Sequence, residues 1–207
     1  KDEYDAKALA EGRGSSIWND YWPLPLALRD PRALARWRER HERVIARYEA
    51  LQFFFAEQWA ALRARANREG IMVVGDLPIF VAEDSADVWS RRELFRLDGR
   101  GRPLEVSGVP PDYFSEDGQL WGNPLYDWDA HLREGFAWWT RRLAVTLDLY
   151  DAVRIDHFRG FEASWAVPAG ETTARAGEWR KAAGAELFAA LERALGPELP
   201  IVAEDLG

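Results

Sequence analysis

The sequence predicts an α/β fold with a parallel sheet, and three observations carry that expectation. Short apolar runs of strand type recur at residues 71–74, 152–155 and 201–203. Segments with helical periodicity separate them, and the intervals are long enough for crossovers, which make neighbouring strands parallel and their connections right-handed.

Taken in order, residues 1–30 carry turn signals and an aromatic-rich run, Trp18, Tyr21 and Trp22 with Pro23 and Pro25, without a sustained period. They read as loop or short helical turns. From Pro31 to Glu69 no glycine interrupts a stretch whose apolar positions include Leu34, Trp37, Val44, Tyr48, Leu51, Phe55, Trp59, Leu62 and Ala66. That spacing predicts one long helix, or two with a bend, opening on proline in the first turn and stopping at Gly70. Ile71 to Val74, closed by Gly75 and Asp76, is predicted as a strand buried on both faces. The stretch 77–130, rich in Gly, Pro, Asp and Trp, is an insertion or small subdomain, because structureless loops of that length are uncommon unless functional.

Leu132, Phe136, Trp139, Leu143 and Leu147 fall on one stripe of an amphipathic helix, and the strand at 152–155 follows. An aromatic-bearing loop over 157–177 leads to a helix over 179–195, with Leu187, Phe188, Leu191 and Leu195 on one face and Gly196-Pro197 as its stop. Ile201 to Ala203 is the third strand.

Composition narrows the classes of function. The 207 residues are 47% hydrophobic and 30% charged, and no run approaches the ~18 consecutive apolar residues of a membrane span. Without cysteine there is no disulfide scaffold, thiolate zinc site or cysteine nucleophile. A net charge of -8 is the wrong sign for binding nucleic acid or acidic membranes. Eleven Trp exceed what a core alone calls for, and flat apolar rings suit sugar faces among other ligands. The chain opens on Lys1, its one methionine is Met72, and KDEYDAK has neither a signal-peptide nor a transit pattern. It reads as an excised piece of a longer protein, with a cytoplasmic address.

Each strand signal ends in acid. Asp76 follows Val73-Val74-Gly75, Asp156 follows Val153-Arg154-Ile155, and Glu204-Asp205 follow Ile201-Val202-Ala203. Parallel strands put their carboxyl ends on one rim, where barrels of alternating strands and helices carry catalysis. A single acid after a strand is more often a helix cap or a solvated loop residue; a succession of three weighs against that. Gathered carboxylates repel unless a cation, a shared proton or a cationic transition state compensates. One chemistry that meets this is glycosidic bond cleavage by a nucleophile and a proton donor. The other is a divalent metal held by Asp76, Asp156, His157 and Glu204. Spacing leaves both open, while Tyr113, Phe114, Trp121, Trp128, Phe158, Phe161 and Trp165 in the same loops lean towards sugar.

Four blocks carry a resemblance: GDLPIFVAEDSADVW (75–89), SGVPPDYFSEDGQLWGNPLYDW (107–128), VRIDHFRGF (153–161) and PIVAEDLG (200–207). Together they resemble the signature blocks of the amylomaltases, or 4-alpha-glucanotransferases; QWAALRARANREGI (58–71) is similar to the helix preceding the first block. The resemblance implies a partial (β/α)8 TIM barrel with an inserted helical and loop subdomain, the N- and C-terminal parts of the family's chain lying outside this one. Residues 1–70 would be the helical insertion packing on the barrel, and 71–207 the partial barrel with its long insertion at 77–130.

By the same resemblance Asp156 is the nucleophile and Glu204 the general acid/base. Arg154, two residues before Asp156 on the same strand face, would hold it ionised or serve as a plain ion pair at the rim. Asp76, His157 and Trp121 match positions lining the donor sugar subsite, and Tyr113 and Phe114 match a mobile loop over the glucan. A third catalytic aspartate of the family falls after Gly207. The implied reaction is retaining double displacement on a maltooligosaccharide or a starch- or glycogen-type glucan, with no cofactor, metal, nucleic acid or membrane involved. A related retaining alpha-glucan hydrolase, a carbohydrate-binding fragment without turnover and a metal-dependent barrel hydrolase are the competing expectations.

Overall fold

The computed structural model describes residues 1–15 and 17–204, so Asp205, the fourth acid of the sequence pattern, lies outside the described residues. Five helices come first: α1 (Asp2–Ala10), α2 (Trp18–Tyr21), α3 (Leu24–Ala27), α4 (Pro31–Arg40) and α5 (Glu42–Arg68). The sheet-bearing part follows as β1 (Val74–Pro78), α6 (Ala86–Ser90), β2 (Glu105–Val109), β3 (Gln119–Pro124), α7 (Trp128–Arg133), α8 (Ala137–Leu149), β4 (Ala152–Asp156), β5 (Ala163–Pro168), β6 (Glu178–Lys181), α9 (Gly184–Leu195) and β7 (Ile201–Ala203). No helix among the described residues is long and apolar enough to cross a membrane.

The helix expected over 31–69 is two helices with a bend. Asp30 caps α4 by accepting from the Ala33 N–H at 2.8 Å, Pro31 takes the first turn, and His41 interrupts before α5 begins. At the far end Gly70 takes a left-handed conformation and the Ile71 N–H returns to the Ala66 carbonyl. In α5, Trp59 donates to the Leu149 carbonyl, and Arg63 and Asn67 bind Asp151, which also accepts from the Val73 N–H. This network fixes where the chain enters β1 relative to β4.

The three predicted strands form one parallel sheet in the order β1-β4-β7. Their alternation sorts the side chains by face. Leu77, Val153 and Ile155 are buried in a core with Trp139 and Leu143 of α8 and Leu187 and Leu191 of α9. Asp76, Arg154 and Val202 are register neighbours on the opposite, open face. Gly75 is required on the helix side, since a Cβ there would lie 2.2 Å from the Tyr150 ring.

Several expectations need correction. The first strand is not 71–74; pairing with β4 aligns Val74 with Ala152 and carries the strand through Pro78, so Asp76 sits inside the strand. The stripe from Leu132 to Leu147 is broken, because Gly135 and Phe136 both adopt left-handed backbone and separate α7 from α8. Trp179 belongs to β6, where it faces Trp165 of β5, and the helix after it starts at Gly184. The expected loop over 157–177 and the stretch 77–130 contribute to a second, antiparallel sheet of order β3-β2-β5-β6. Residues 1–30 contain a nine-residue helix, α1, with Ala8 as its buried position, too polar for an apolar period to reveal.

Candidate active site

Within the β1-β4-β7 sheet, Asp76 and Arg154 are cross-strand neighbours, while Asp156 and Glu204 close the carboxyl ends of β4 and β7. Arg154 stands among all three acids. Its Nε donates to Asp76 Oδ1 at 2.7 Å, Nη1 to Glu204 Oε1 at 3.3 Å and Nη2 to Asp156 Oδ1 at 3.3 Å. The compensating cation that gathered carboxylates require is thus a guanidinium belonging to the chain. Among the described residues no group of three or more His, Cys, Asp or Glu is arranged to hold a metal ion. An ion placed among these acids would face Arg154.

His157, directly after β4, takes a left-handed conformation (φ 53°, ψ 49°), and its backbone N–H donates to Glu204 Oε2 at 2.7 Å. Its imidazole is 9% exposed and lies edge-on to Trp121 with centroids 4.8 Å apart. Phe80 completes the cluster, 6.3 Å from both His157 and Trp121. The carbonyls at the end of β1 are tied down in turn: Tyr126 Oη donates to Ile79 O at 2.5 Å, and Arg142 donates to Pro78 O at 2.7 Å and Ile79 O at 3.2 Å.

The two carboxyls at the strand ends are neighbours, and each shifts the proton affinity of the other. Asp156 is raised above the usual carboxylate range by burial first, then by its hydrogen bond to Glu204 and that group's negative charge, against which Arg154 pulls downward. Glu204 is lowered, first by the His157 N–H and then by Asp156, with Arg154 adding to the effect. The two carboxyls therefore titrate as a pair, Asp156 being the one shifted upward and Glu204 the one shifted downward. Arg154 pulls Asp156 in the direction expected of it, while the neighbouring carboxylate and burial pull the other way. His157 is lowered by burial and by the positive charge of Arg159.

The structure therefore brings together Asp76, Trp121, Arg154, Asp156, His157 and Glu204. Tyr113 and Phe114 stand apart, in the loop joining β2 to β3, 97% and 93% exposed and packed edge-on against one another. Phe80, Tyr126 and Arg142 support the rim without having been singled out in the sequence. Phe80 lay within the first signature block, whereas nothing distinguishes Arg142 from other arginines on an amphipathic helix.

A family model described as 4-alpha-glucanotransferase matches residues 5–207. The chain belongs to the 4-alpha-glucanotransferase family. It is 52% identical over 200 residues to the 4-alpha-glucanotransferase of Thermus thermophilus, covering 97% of this chain and 40% of that protein. To the enzyme of the same name from Synechocystis it is 51% identical over 201 residues, again covering 97% of this chain and 40% of the relative. The amylomaltase of Streptococcus agalactiae, solved in complex with acarbose, superposes with a TM-score of 0.88 at 43% identity, covering all of this chain and 41% of that one. The chain thus spans about two-fifths of the length of the curated relatives it matches.

Proposed function

We propose that these residues are the central section of a retaining 4-alpha-glucanotransferase, within a (β/α)8 barrel whose remaining strands are supplied by other parts of a longer protein. Residues 1–70 form its helical insertion, and 71–207 the barrel section with its insertion at 77–130. The observation that carries the reading is the meeting of Asp156 and Glu204 around one guanidinium on the open face of a parallel sheet.

The chemistry follows from that arrangement. An alpha-1,4-glucan seated with its scissile bond between the two carboxyls separates them. Separation removes the Glu204 contributions that raise Asp156 and leaves Arg154 as its nearest charge. With the pair's one proton on Glu204, the Asp156 carboxylate attacks the anomeric carbon while Glu204 protonates the departing glycosidic oxygen. In the second half, Glu204 takes the proton of an acceptor 4-hydroxyl, which displaces Asp156 with overall retention. Asp76 and the His157–Trp121 pair line the donor side of this point, Trp121 offering an exposed indole for stacking on glucose. Tyr113 and Phe114 act as an aromatic flap that reaches the glucan only in the complete protein. Maltooligosaccharides or starch-type glucans are the substrates, in the cytoplasm.

The experiment is to incubate the full-length protein containing this chain with maltotriose and follow the products. Glucose appearing together with longer glucans is the transferase outcome. Shortened products without lengthening would make it a hydrolase, and loss of turnover in chelator, restored by a divalent cation, would return the metal reading.

A further inference from the structure

The His157 ring packs against Trp121 and Phe80, and its backbone does something separate. We propose that the left-handed turn at His157 is a positioning device for Glu204: it aims a main-chain N–H at the acid/base carboxylate and sets how readily that group holds its proton. The inference rests on Glu204 being the acid/base, as above.

The geometry supports it at three points. A non-glycine residue in left-handed backbone is disfavoured, more so when bulky, and persists only where the surroundings dictate it. Here the turn brings the His157 N–H to 2.7 Å from Glu204 Oε2, in a position that extended backbone would not give. The turn is also gripped. Phe80 and Trp121 pack on the imidazole, and a Cβ at Gly160 would lie 3.0 Å from His157 Cδ2 and 2.8 Å from Ile79 Cδ1, so only glycine leaves the ring its present place. Among the described residues the buried imidazole Nε2 has no hydrogen-bond partner, and packing holds the ring from this side.

The consequence is electrostatic. The groups facing Glu204 are Arg154 and Asp156 from β4, Asp76 through Arg154 from β1, and His157 itself, with Arg159 beyond. Of these the His157 N–H is the strongest stabiliser of the carboxylate form. Glu204 must be an acid in the first half-reaction and a base in the second, and the N–H biases it towards the base. Removing that hydrogen bond raises the proton affinity of Glu204 and moves the alkaline limb of kcat/KM to higher pH.

The test compares two variants that both lack the imidazole, in the full-length transferase. His157→Asn keeps a residue that tolerates left-handed backbone; His157→Val puts a β-branched residue there, which resists it. Both should turn over slowly. The Asn variant should retain the wild-type alkaline limb, whereas the Val variant should show it shifted upward by roughly one pH unit. Coincident limbs in the two variants overturn the proposal. Should the Val variant fail to fold, Gly160→Ala, which keeps the imidazole but crowds it, must shift the limb in the same direction; a lowered melting temperature with an unmoved limb would leave Gly160 and the turn merely structural and overturn it equally. Absence of glucan transfer in the wild-type protein would instead strike the acid/base reading beneath.

Discussion

Asp76 and Arg154 are paired twice over, as register neighbours on β1 and β4 and through a 2.7 Å hydrogen bond from Nε to Oδ1. That bond orients the guanidinium so that its two remaining nitrogens reach Asp156 and Glu204. A lysine in its place carries the charge but lacks the planar fork that serves three carboxylates at once. In the full-length protein, Arg154→Lys should therefore lower kcat for maltotriose disproportionation by about 10²- to 10³-fold, the usual cost of one strong electrostatic contact in an active site. Turnover within a few-fold of wild type would assign Arg154 to rim structure alone.

Asp156→Asn preserves the shape of the side chain and removes the carboxylate proposed as the nucleophile. Transfer should be abolished while glucan binding, measured by calorimetry, stays close to wild type. Near-normal turnover would place the nucleophile at another residue.

Trp121 is partly exposed, with one edge against His157 and its indole N–H donating to Gln119 Oε1 at 3.1 Å. Trp121→Ala should weaken glucan affinity if the ring stacks on glucose, by an amount comparable to one aromatic contact, about 0.5 to 1.5 kcal/mol. Unchanged affinity with a lower melting temperature would make the ring packing only.

Much of this site was legible in the sequence, for reasons that can be traced to particular residues. Asp76, Asp156 and Glu204 converge because parallel strands share a direction, which apolar runs and crossover lengths already announce. What periodicity misses is pairing that depends on partners far along the chain. The strand at Trp179 exists because Trp165 lies opposite it, and the break between α7 and α8 depends on backbone at Gly135 and Phe136 that no apolar count reveals. The main-chain hydrogen bond from His157 to Glu204 was likewise hidden, since it depends on a left-handed turn that no residue pattern announces.

His131, fully buried among Tyr126, Trp128 and Trp138, is a separate liability. Among the described residues neither ring nitrogen makes a well-formed hydrogen bond, the Leu94 backbone being only a weak partner, and Glu134 approaches Nδ1 only to 3.7 Å. Burial lowers its pKa from 6.5 to about 4. The unfolded chain therefore takes up this proton first on acidification. Stability is lost as pH falls through 6.5, at up to about 1.4 kcal/mol per pH unit, and the loss levels off below the folded value. His131→Phe removes this contribution and at most a weak contact to the Leu94 backbone. Its urea midpoint should fall less than wild type between pH 7 and pH 4.5; parallel falls in the two proteins would refute the assignment.

The 207 residues by themselves should not catalyse transfer. Their parallel sheet has three strands with β1 and β7 as its edges, whereas a barrel of this class closes only when eight strands pair in a ring. On the open face, Val74 and Val202 are more than half exposed beside the acids. Along α5, Val44, Tyr48, Leu51, Phe55 and Leu62 are exposed as well, and none of its residues is buried. Unpaired edges and apolar faces of this extent favour association over a rigid, dry site. Without closure the carboxyls also stay in bulk-like solvent, where preorganised charge loses most of its effect on a transition state. Purified alone, the chain should migrate on a sizing column as concentration-dependent oligomers and release no glucose from maltotriose. A monodisperse monomer that forms glucose and longer glucans, with activity that follows the protein through repurification, would show that Asp156, Glu204 and Arg154 are sufficient on three strands and that closure is dispensable.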